Sequence, residues 1–307
     1  MKNTINFYYN IFLDELIKKD NCYYFYYGGD EYYFVPLNRP YDDVQSIYKL
    51  NLEMKKRRCL VHELVLNKDK SIITVVNGIS YVLIKLCKYK NDKVFLNDIN
   101  YIQNMTINIE CDKSLVRNDW IKLWSEKIDY YEYQISQVGK KYPLLCDSLS
   151  YFIGMGENAI SYLVNNLDSK TNVNLVVSHK RIYQERGSLN FYDPLNFVVD
   201  SRVRDVAEFI KETFYNKTLN LYDLKSYFNM ANLTKNEYIL LLGRLLFPTY
   251  YFDIYDDIIN KGKSEELVIN IIDRTDEYES LLNTIYKFIL YEKKARLEPI
   301  EWLQDKN

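Results

Sequence analysis

His179 closes the apolar run LVVSH and is followed at once by Lys180 and Arg181; Asp193, Asp200 and Asp205 come behind it in order, with Arg204 beside the last. Transfer of a phosphoryl group takes residues of these kinds: a carboxylate aimed at the acceptor hydroxyl, oxygen ligands for a metal ion that bridges phosphates, and a cation on the phosphate oxygens. The chain holds only two histidines, so placing one here, ahead of three spaced aspartates, marks residues 175–210 as the candidate site.

Such a site needs elements to hold it. The run LVVSH is strand-like, NFVVD is a second strand ending on Asp200, and RDVAEFI opens a helix from about 203. Asp200 and Asp205 are placed to cap that helix or sit in its first turn, where the dipole favours a negative charge. Arg204 and Asp205 are expected to form an ion network with Lys180 and Arg181, and Pro194 after Asp193 fits a turn into the second strand. His179 is read first as a hydrogen-bonded histidine of the loop core.

Upstream, YYFYYGGDEYYFVPL reads as an antiparallel hairpin turning at Gly28 and Gly29. YDDVQSIYKLNLEMKKRR sets Val44, Ile47, Leu50 and Met54 at helical spacing, with acids near its start and cations at its end. HELVLNKDKSIITVVNGISYVLIKLC gives three strand-like runs, the last two joined by Asn77-Gly78. Residues 20–90 are therefore expected to make a five-stranded antiparallel sheet with one helix between the second and third strands. Beyond about residue 100 the periodicity becomes helical, including a helix interrupted near Gly154 and Gly156, and others over 203–215, 221–230, 234–246 and 277–292. The apolar segment YILLLGRLLFPTYYFDIYDDII suits either the core of the helical part or an interface. The fold class expected is α+β with two lobes: residues 1–100 a small antiparallel β lobe with one amphipathic helix, residues 101–307 a larger, mainly helical lobe carrying His179 and the aspartates.

Composition narrows the function classes. The 307 residues are 48% apolar and 27% charged, enough to bury a large core. Lysine plus arginine number 40 against 42 for aspartate plus glutamate, a formal charge of −2 that offers no field to draw in nucleic acid or anionic lipid. The five cysteines (Cys22, Cys59, Cys87, Cys111, Cys146) have no CxxC spacing, which suits reduced, mostly buried thiols in an intracellular protein. The first twenty residues carry Asp14 and Glu15 inside an apolar pattern and are expected to form an amphipathic helix, not a signal peptide. The longest apolar runs fall short of the roughly 20 residues a membrane span needs, so no membrane insertion is expected. Tyrosine, at 31 residues, is the oddity of the composition. Its abundance beside Asn, Lys and Ile fits a genome rich in A and T better than it fits base-stacking platforms.

The plan of a small β lobe, a helical lobe and a strand-loop-strand inside the second resembles the protein kinase-like phosphotransferases, in particular the aminoglycoside phosphotransferase and choline kinase group. VVSHKRIYQER stands where that group has the motif H-G-D-x-x-x-x-N, NFVVD where it has a hydrophobic-Asp strand, and RDVAEFI where a further Asp opens a helix. YYFVPL, NGISYVLIKL and YDPLNFVVDSRVRDVAEFIK also resemble the kinase-like spore coat proteins of the YutH and CotS type from endospore-forming bacteria.

The resemblance implies positions for the chemistry, and several are substituted. With His179 on the motif histidine, the catalytic aspartate position falls on Arg181, which cannot accept a proton. The metal-binding asparagine position falls on Arg186. The strand EYYFVPLN lacks a phosphate-pairing lysine, the next cations being Arg39 and Lys49, and Glu53 on the following helix has no evident lysine partner. Gly28 and Gly29 match only weakly the glycine turn that covers ATP phosphates. Asp200 survives as a metal ligand, yet one carboxylate is a poor site for Mg²⁺, which takes octahedral oxygen coordination.

The resemblance and these losses together imply a pseudokinase with no cofactor, whose partners are proteins, spore coat proteins among them, located in the cytoplasm or the spore coat. The alternative is an active small-molecule phosphotransferase using ATP and Mg²⁺, with Asp193 or Asp200 as base or metal ligand and Lys180 or Arg181 neutralising phosphate.

Overall fold

The structure, a computed structural model, describes residues 1–167, 173–300 and 303. The chain enters as helix α1 (Lys2–Tyr9) and strands β1 (Ile17–Lys19), β2 (Cys22–Tyr27) and β3 (Asp30–Pro36). Helix α2 (Tyr41–Lys56), strands β4 (Glu63–Val65), β5 (Ile73–Val76) and β6 (Ile79–Lys85), and helix α3 (Leu96–Thr106) follow. After α4 (Trp120–Val138) and α5 (Pro143–Asn166) come β7 (Leu175–His179), the short α6 (Gly187–Phe191) and β8 (Phe197–Ser201). The remainder is helical: α7 (Val203–Tyr215), α8 (Leu221–Ala231), α9 (Lys235–Leu246), α10 (Thr249–Lys261), α11 (Ile269–Ile272) and α12 (Thr275–Lys287).

Two compact units result, Met1–Val116 with Leu175–Asp200, and Arg117–Asn174 with Ser201–Asn307. The expected division near residue 100 put the segment of His179 among the helices; chain packing groups it with the sheet. Two bonds begin to explain this: Asn108 N–H donates to Leu175 O at 3.0 Å, and Val177 N–H donates to Thr106 Oγ1 at 3.0 Å.

In the first unit an antiparallel sheet runs β1-β2-β3-β6-β4, with β5 also on β6. It has six strands where five were expected. The extra one is β1, because α1 stops early: Asn10 takes a left-handed conformation (φ 54°) that ends the helix, and Ile17–Lys19 pair with Tyr24–Cys22. Residues before β1 still bury apolar surface, since Ile5, Ile11 and Leu13 pack with Phe25, Phe34, Tyr81 and Leu83 on one face of the sheet. Side chains alternate along a strand, so Tyr24 and Tyr26 leave on the opposite face from Phe25, where Tyr24 meets Tyr33 at 5.0 Å. Helix α2 buries Val44, Ile47, Leu50 and Met54, with Asp42 and Asp43 in its first turn and Lys55 and Lys56 in its last.

The second unit packs helices around aromatic stacks: Trp124 on Phe247 at 4.4 Å, Tyr131 on Phe252 at 4.4 Å, and Phe152 on Tyr251 at 3.8 Å. Tyr131, Tyr251 and Tyr255 are fully buried, so these tyrosines serve packing. Every residue of α9 from Tyr238 to Leu246 is buried, which makes this part of the apolar segment core. Helix α5 runs unbroken through Gly154 and Gly156, contrary to the expected interruption. At Gly156 a Cβ would lie 2.9 Å from Ile128 Cδ1, so the missing side chain makes room for α4 and does not break the helix. Among the described residues no helix is long and apolar enough to cross a membrane.

Candidate functional site

Strand β7 ends on His179, which is 1% exposed, stacked on Phe191 at 4.4 Å and edge-on to Phe197 at 5.3 Å. Its Nε2 lies 2.7 Å from Phe191 O, and because a carbonyl only accepts, Nε2 carries the proton. The imidazole is thus held in the aromatic interior by the loop that follows it. Lys180 donates its backbone N–H to Asn196 O at 2.8 Å, and the Arg181 guanidinium turns back to donate to Lys180 O at 2.8 Å. Arg186, two residues past α6's leading turn at Gln184, lies over the Tyr183 ring at 4.2 Å.

Asp193 and Arg39 come together from distant parts of the chain. Asp193 is half-buried, and its Oδ1 accepts from Leu195 N–H at 2.9 Å, capping the single turn Pro194–Asn196. Desolvation pushes its carboxyl up to about 6, against the opposing pull of the Leu195 N–H and of the Arg39 charge. Arg39, the first cation after β3, is buried and donates to Phe197 O on β8 at 2.9 Å. Asp200 lies further along β8 with no solvent exposure. Asp205 is buried in the first turn of α7 and Arg204 is half-buried beside it, both in the second unit. The helix's N-cap position is Arg202, not an aspartate, and its side chain makes no capping bond.

Sequence reasoning missed His62. Its backbone N–H donates to Tyr192 O at 3.0 Å and its carbonyl accepts from Asn51 Nδ2 at 2.8 Å. Its Nδ1 accepts from Cys87 N–H at 3.1 Å, so Nε2 is the protonated nitrogen and donates to Leu189 O at 3.2 Å. Four polar groups of one residue thereby tie α2, the end of β6 and the loop after His179 together. Burial lowers this imidazole to about 4, against the opposing pull of its bond to Leu189 O. The only sequence signal was its place beside an apolar run, and that does not name partners more than a hundred positions away.

The same loop is fastened to residues 91–94. Val94 N–H donates to Gln184 O at 3.0 Å, Ser188 N–H to Asn91 O at 2.8 Å, and Asn91 N–H to Ser188 Oγ at 3.0 Å. Gly187 sits between these bonds at φ 55°, where a Cβ would be 2.2 Å from Asn91 O. Only glycine fits so close to another backbone.

The remaining candidates are placed elsewhere. Gly28 and Gly29 turn β2 into β3 at φ 60° and 82°; the turn between the first two strands, where a phosphate-covering glycine loop was sought, is Asp20-Asn21, with Asp20 at φ 53°. The glycines owe their place to hairpin geometry. Strand β3 carries no lysine, and Lys85 on neighbouring β6 pairs with Asp30 at 2.5 Å. Glu53 pairs with Lys56 of its own helix at 3.0 Å and with Arg57, just past the helix end, at 3.8 Å. All five cysteines are free, but only Cys59 is buried and Cys146 is exposed, so the thiols are less buried than expected. No group of three or more His, Cys, Asp or Glu suited to a metal ion occurs among the described residues.

The profile of the family described as spore coat putative kinase YutH matches residues 2–285. The chain belongs to that family. The endospore coat-associated protein YutH of Bacillus subtilis (strain 168) is 30% identical over 207 residues, which are 60% of this chain and 61% of that protein. Among solved structures, an aminoglycoside phosphotransferase from Alicyclobacillus acidocaldarius superposes with a TM-score of 0.64 at 10% identity, covering 92% of this chain and 94% of its own. Spectinomycin phosphotransferase in complex with ADP and spectinomycin gives 0.59 at 8% identity, covering 86% and 89%. Amicoumacin kinase gives 0.53 at 11% identity, covering 98% and 95%. At such identities the likeness is one of fold: this member of the YutH family has the kinase-like fold of those phosphotransferases.

Proposed function

We propose that this YutH-family chain is a pseudokinase, a kinase-like fold used as a binding or structural module in the spore coat with other coat proteins as its partners. One observation carries the reading. Where the resemblance puts the proton-accepting aspartate stands Arg181, whose guanidinium donates to its neighbour's carbonyl. No aspartate lies between His179 and Asp193 to take its place.

The residues present do not fit ATP with Mg²⁺. Asp200 is wholly buried, the β1-β2 turn offers Asp20 to an anionic phosphate, and β3 has no lysine. The nearest following cation, Arg39, is spent on Phe197 O and on the field around Asp193. Each contact gives a residue of the old site a structural task. The assignment to the coat rests on the family and on the printed description of the Bacillus subtilis relative.

The test is a thermal-shift titration of purified protein with ATP, with and without Mg²⁺, beside an assay for transfer of labelled phosphate. A ligand at 100 times its dissociation constant adds about 2.7 kcal/mol to the folded state, so binding would be visible. No magnesium-dependent transfer is expected. Transfer that disappears in Asp200→Ala would overturn the reading and establish an active phosphotransferase.

A further inference from the structure

Past α12 the chain lies across the second unit as a strap. The helix runs on into a wider helical turn, Phe288–Glu292, and Lys294, left-handed at φ 52°, turns the chain away. Residues 294–300 are irregular, yet Leu297, Ile300 and Leu303 are 8%, 5% and 0% exposed, while Arg296, Glu298 and Pro299 between them are open to solvent. Every third residue is thus pressed onto an apolar seat.

The seat includes Tyr162 of α5 and Tyr286 of α12, both buried. Tyr286 Oη donates to Glu298 O of the strap at 3.5 Å. Burial pushes the Tyr162 hydroxyl up, with Tyr286 and the Glu298 carboxylate adding to the effect, which places the three groups together. Tyr162 Oη itself is buried without a hydrogen-bond partner among the described residues, and a phenol so placed has given up its hydration for nothing. The backbone tie is long as well: Ala295 N–H donates to Ile289 O at 3.3 Å, against an ordinary spacing of about 2.9–3.0 Å. Shorter bonds, Leu297 N–H to Ala295 O at 2.9 Å and Leu303 N–H to Ile300 O at 3.0 Å, stay within the strap. The strap is therefore shaped by its own bonds and held down chiefly by three aliphatic side chains. The family profile, residues 2–285, takes in Tyr162 and nearly all of α12 but no residue of the strap.

We propose that the groove under the strap is a docking site for a short segment of a partner polypeptide, one with aliphatic residues three apart and a backbone acceptor for Tyr162 Oη, and that the strap is its replaceable internal occupant. Such a segment buries the same apolar surface and in addition satisfies the phenol, which the strap, tethered at Lys294, does not.

The test uses the full chain and a fluorescein-labelled peptide with the sequence of residues 294–303, read by anisotropy. Leu297→Asp combined with Ile300→Asp loosens the strap and removes its competition, so this variant should bind the peptide at least about tenfold more tightly than the wild type does. A peptide of the same composition with the three-residue spacing scrambled should bind the variant at least about tenfold more weakly. Adding Tyr162→Phe to the variant should weaken the peptide by about threefold or more; in the wild-type background it should leave the thermal midpoint unchanged or raised, because the strap makes no use of that hydroxyl. Should the loosened variant misfold, excess unlabelled peptide added to the wild type should quicken amide exchange at residues 295–300. No saturable binding to the folded variant, equal binding of the scrambled peptide, or wild-type exchange that the peptide leaves untouched overturns the proposal. Wild-type dimers that the peptide dissociates would give the groove to the strap of a second copy and overturn its assignment to a different polypeptide. None of these outcomes depends on whether the chain transfers phosphate.

Discussion

Replacing His62 with Gln, and separately Asp193 with Asn, should expose two titrations that oppose each other in the intact protein. His62 is held near 4 against an ordinary 6.5, so between these values the unfolded chain binds the proton and the fold does not. Its stabilisation is complete above pH 6.5 and is lost as the pH falls toward 4. A gap of about 2.5 pH units, at about 1.4 kcal/mol per unit, makes the loss about 3 kcal/mol. Asp193 behaves in the opposite way: raised to about 6 from 3.8, it binds the proton more tightly when folded. Its contribution is complete below pH 3.8 and is lost as the pH rises to 6, again by about 3 kcal/mol. In the wild type the two slopes largely cancel between pH 4 and 6. The assay is urea unfolding at pH 4.5, 5.5, 6.5 and 7.5 at constant ionic strength, read as differences from the wild type so that the other carboxylates drop out. Relative to wild type, His62→Gln should gain stability on acidification, whereas Asp193→Asn should gain it on going to neutral pH. Difference curves that are flat within about 0.5 kcal/mol, or that slope the same way, would refute the reasoning.

Other contacts give further expectations. Gly187→Ala should cost roughly 2–4 kcal/mol, from the left-handed backbone and the collision with Asn91 O, and should raise protease cleavage between 180 and 196; a loss below about 1 kcal/mol would contradict the close approach. Arg39→Met should cost about 2–3 kcal/mol, because it leaves Phe197 O without its charged donor, and should raise the Asp193 pKa further, seen by carboxyl NMR titration. Thr234→Ala, which removes the side chain accepting from Glu237 N–H at the start of α9, should cost about 1 kcal/mol in chemical unfolding. Asn51→Ala should cost about 1–3 kcal/mol by stranding the buried groups it serves, His62 O and Leu64 N–H, with Asn51→Asp rescuing only the second.

The sequence by itself determined what depends on neighbours in the chain. Gly28-Gly29 and Asn77-Gly78 fix hairpins through backbone freedom, so the β2-β3 and β5-β6 turns were legible. Period-3.6 burial fixed α2, and the order strand, loop, strand, helix around His179 and Asp200 sufficed for the kinase-like plan. That Arg181 stands two residues after His179 and that β3 carries no lysine could also be read there, because the presence or absence of a residue type needs no coordinates. Short-range patterns failed where a long-range contact competes with them. Residues 17–19 read as the tail of a helix, yet an open edge of β2 offers them backbone bonds that an isolated helix end lacks. Gly156 read as a break, yet Ile128 fills the space where its side chain would be.

Only the tertiary structure decided that the loop after His179 belongs with the sheet. That grouping is made by bonds between residues 25 to 158 positions apart: Cys87 to His62, Ser188 to Asn91, Leu189 to His62, Val177 to Thr106, and Arg39 to Phe197. Backbone carbonyls and amides supply most of the partners, and every residue has those, so side-chain identity alone could not single them out. The same holds for the carboxyl of Asp193 and the imidazole of His62. Their charges are set by burial and by groups that folding brings to them, neither of which is written at their own positions.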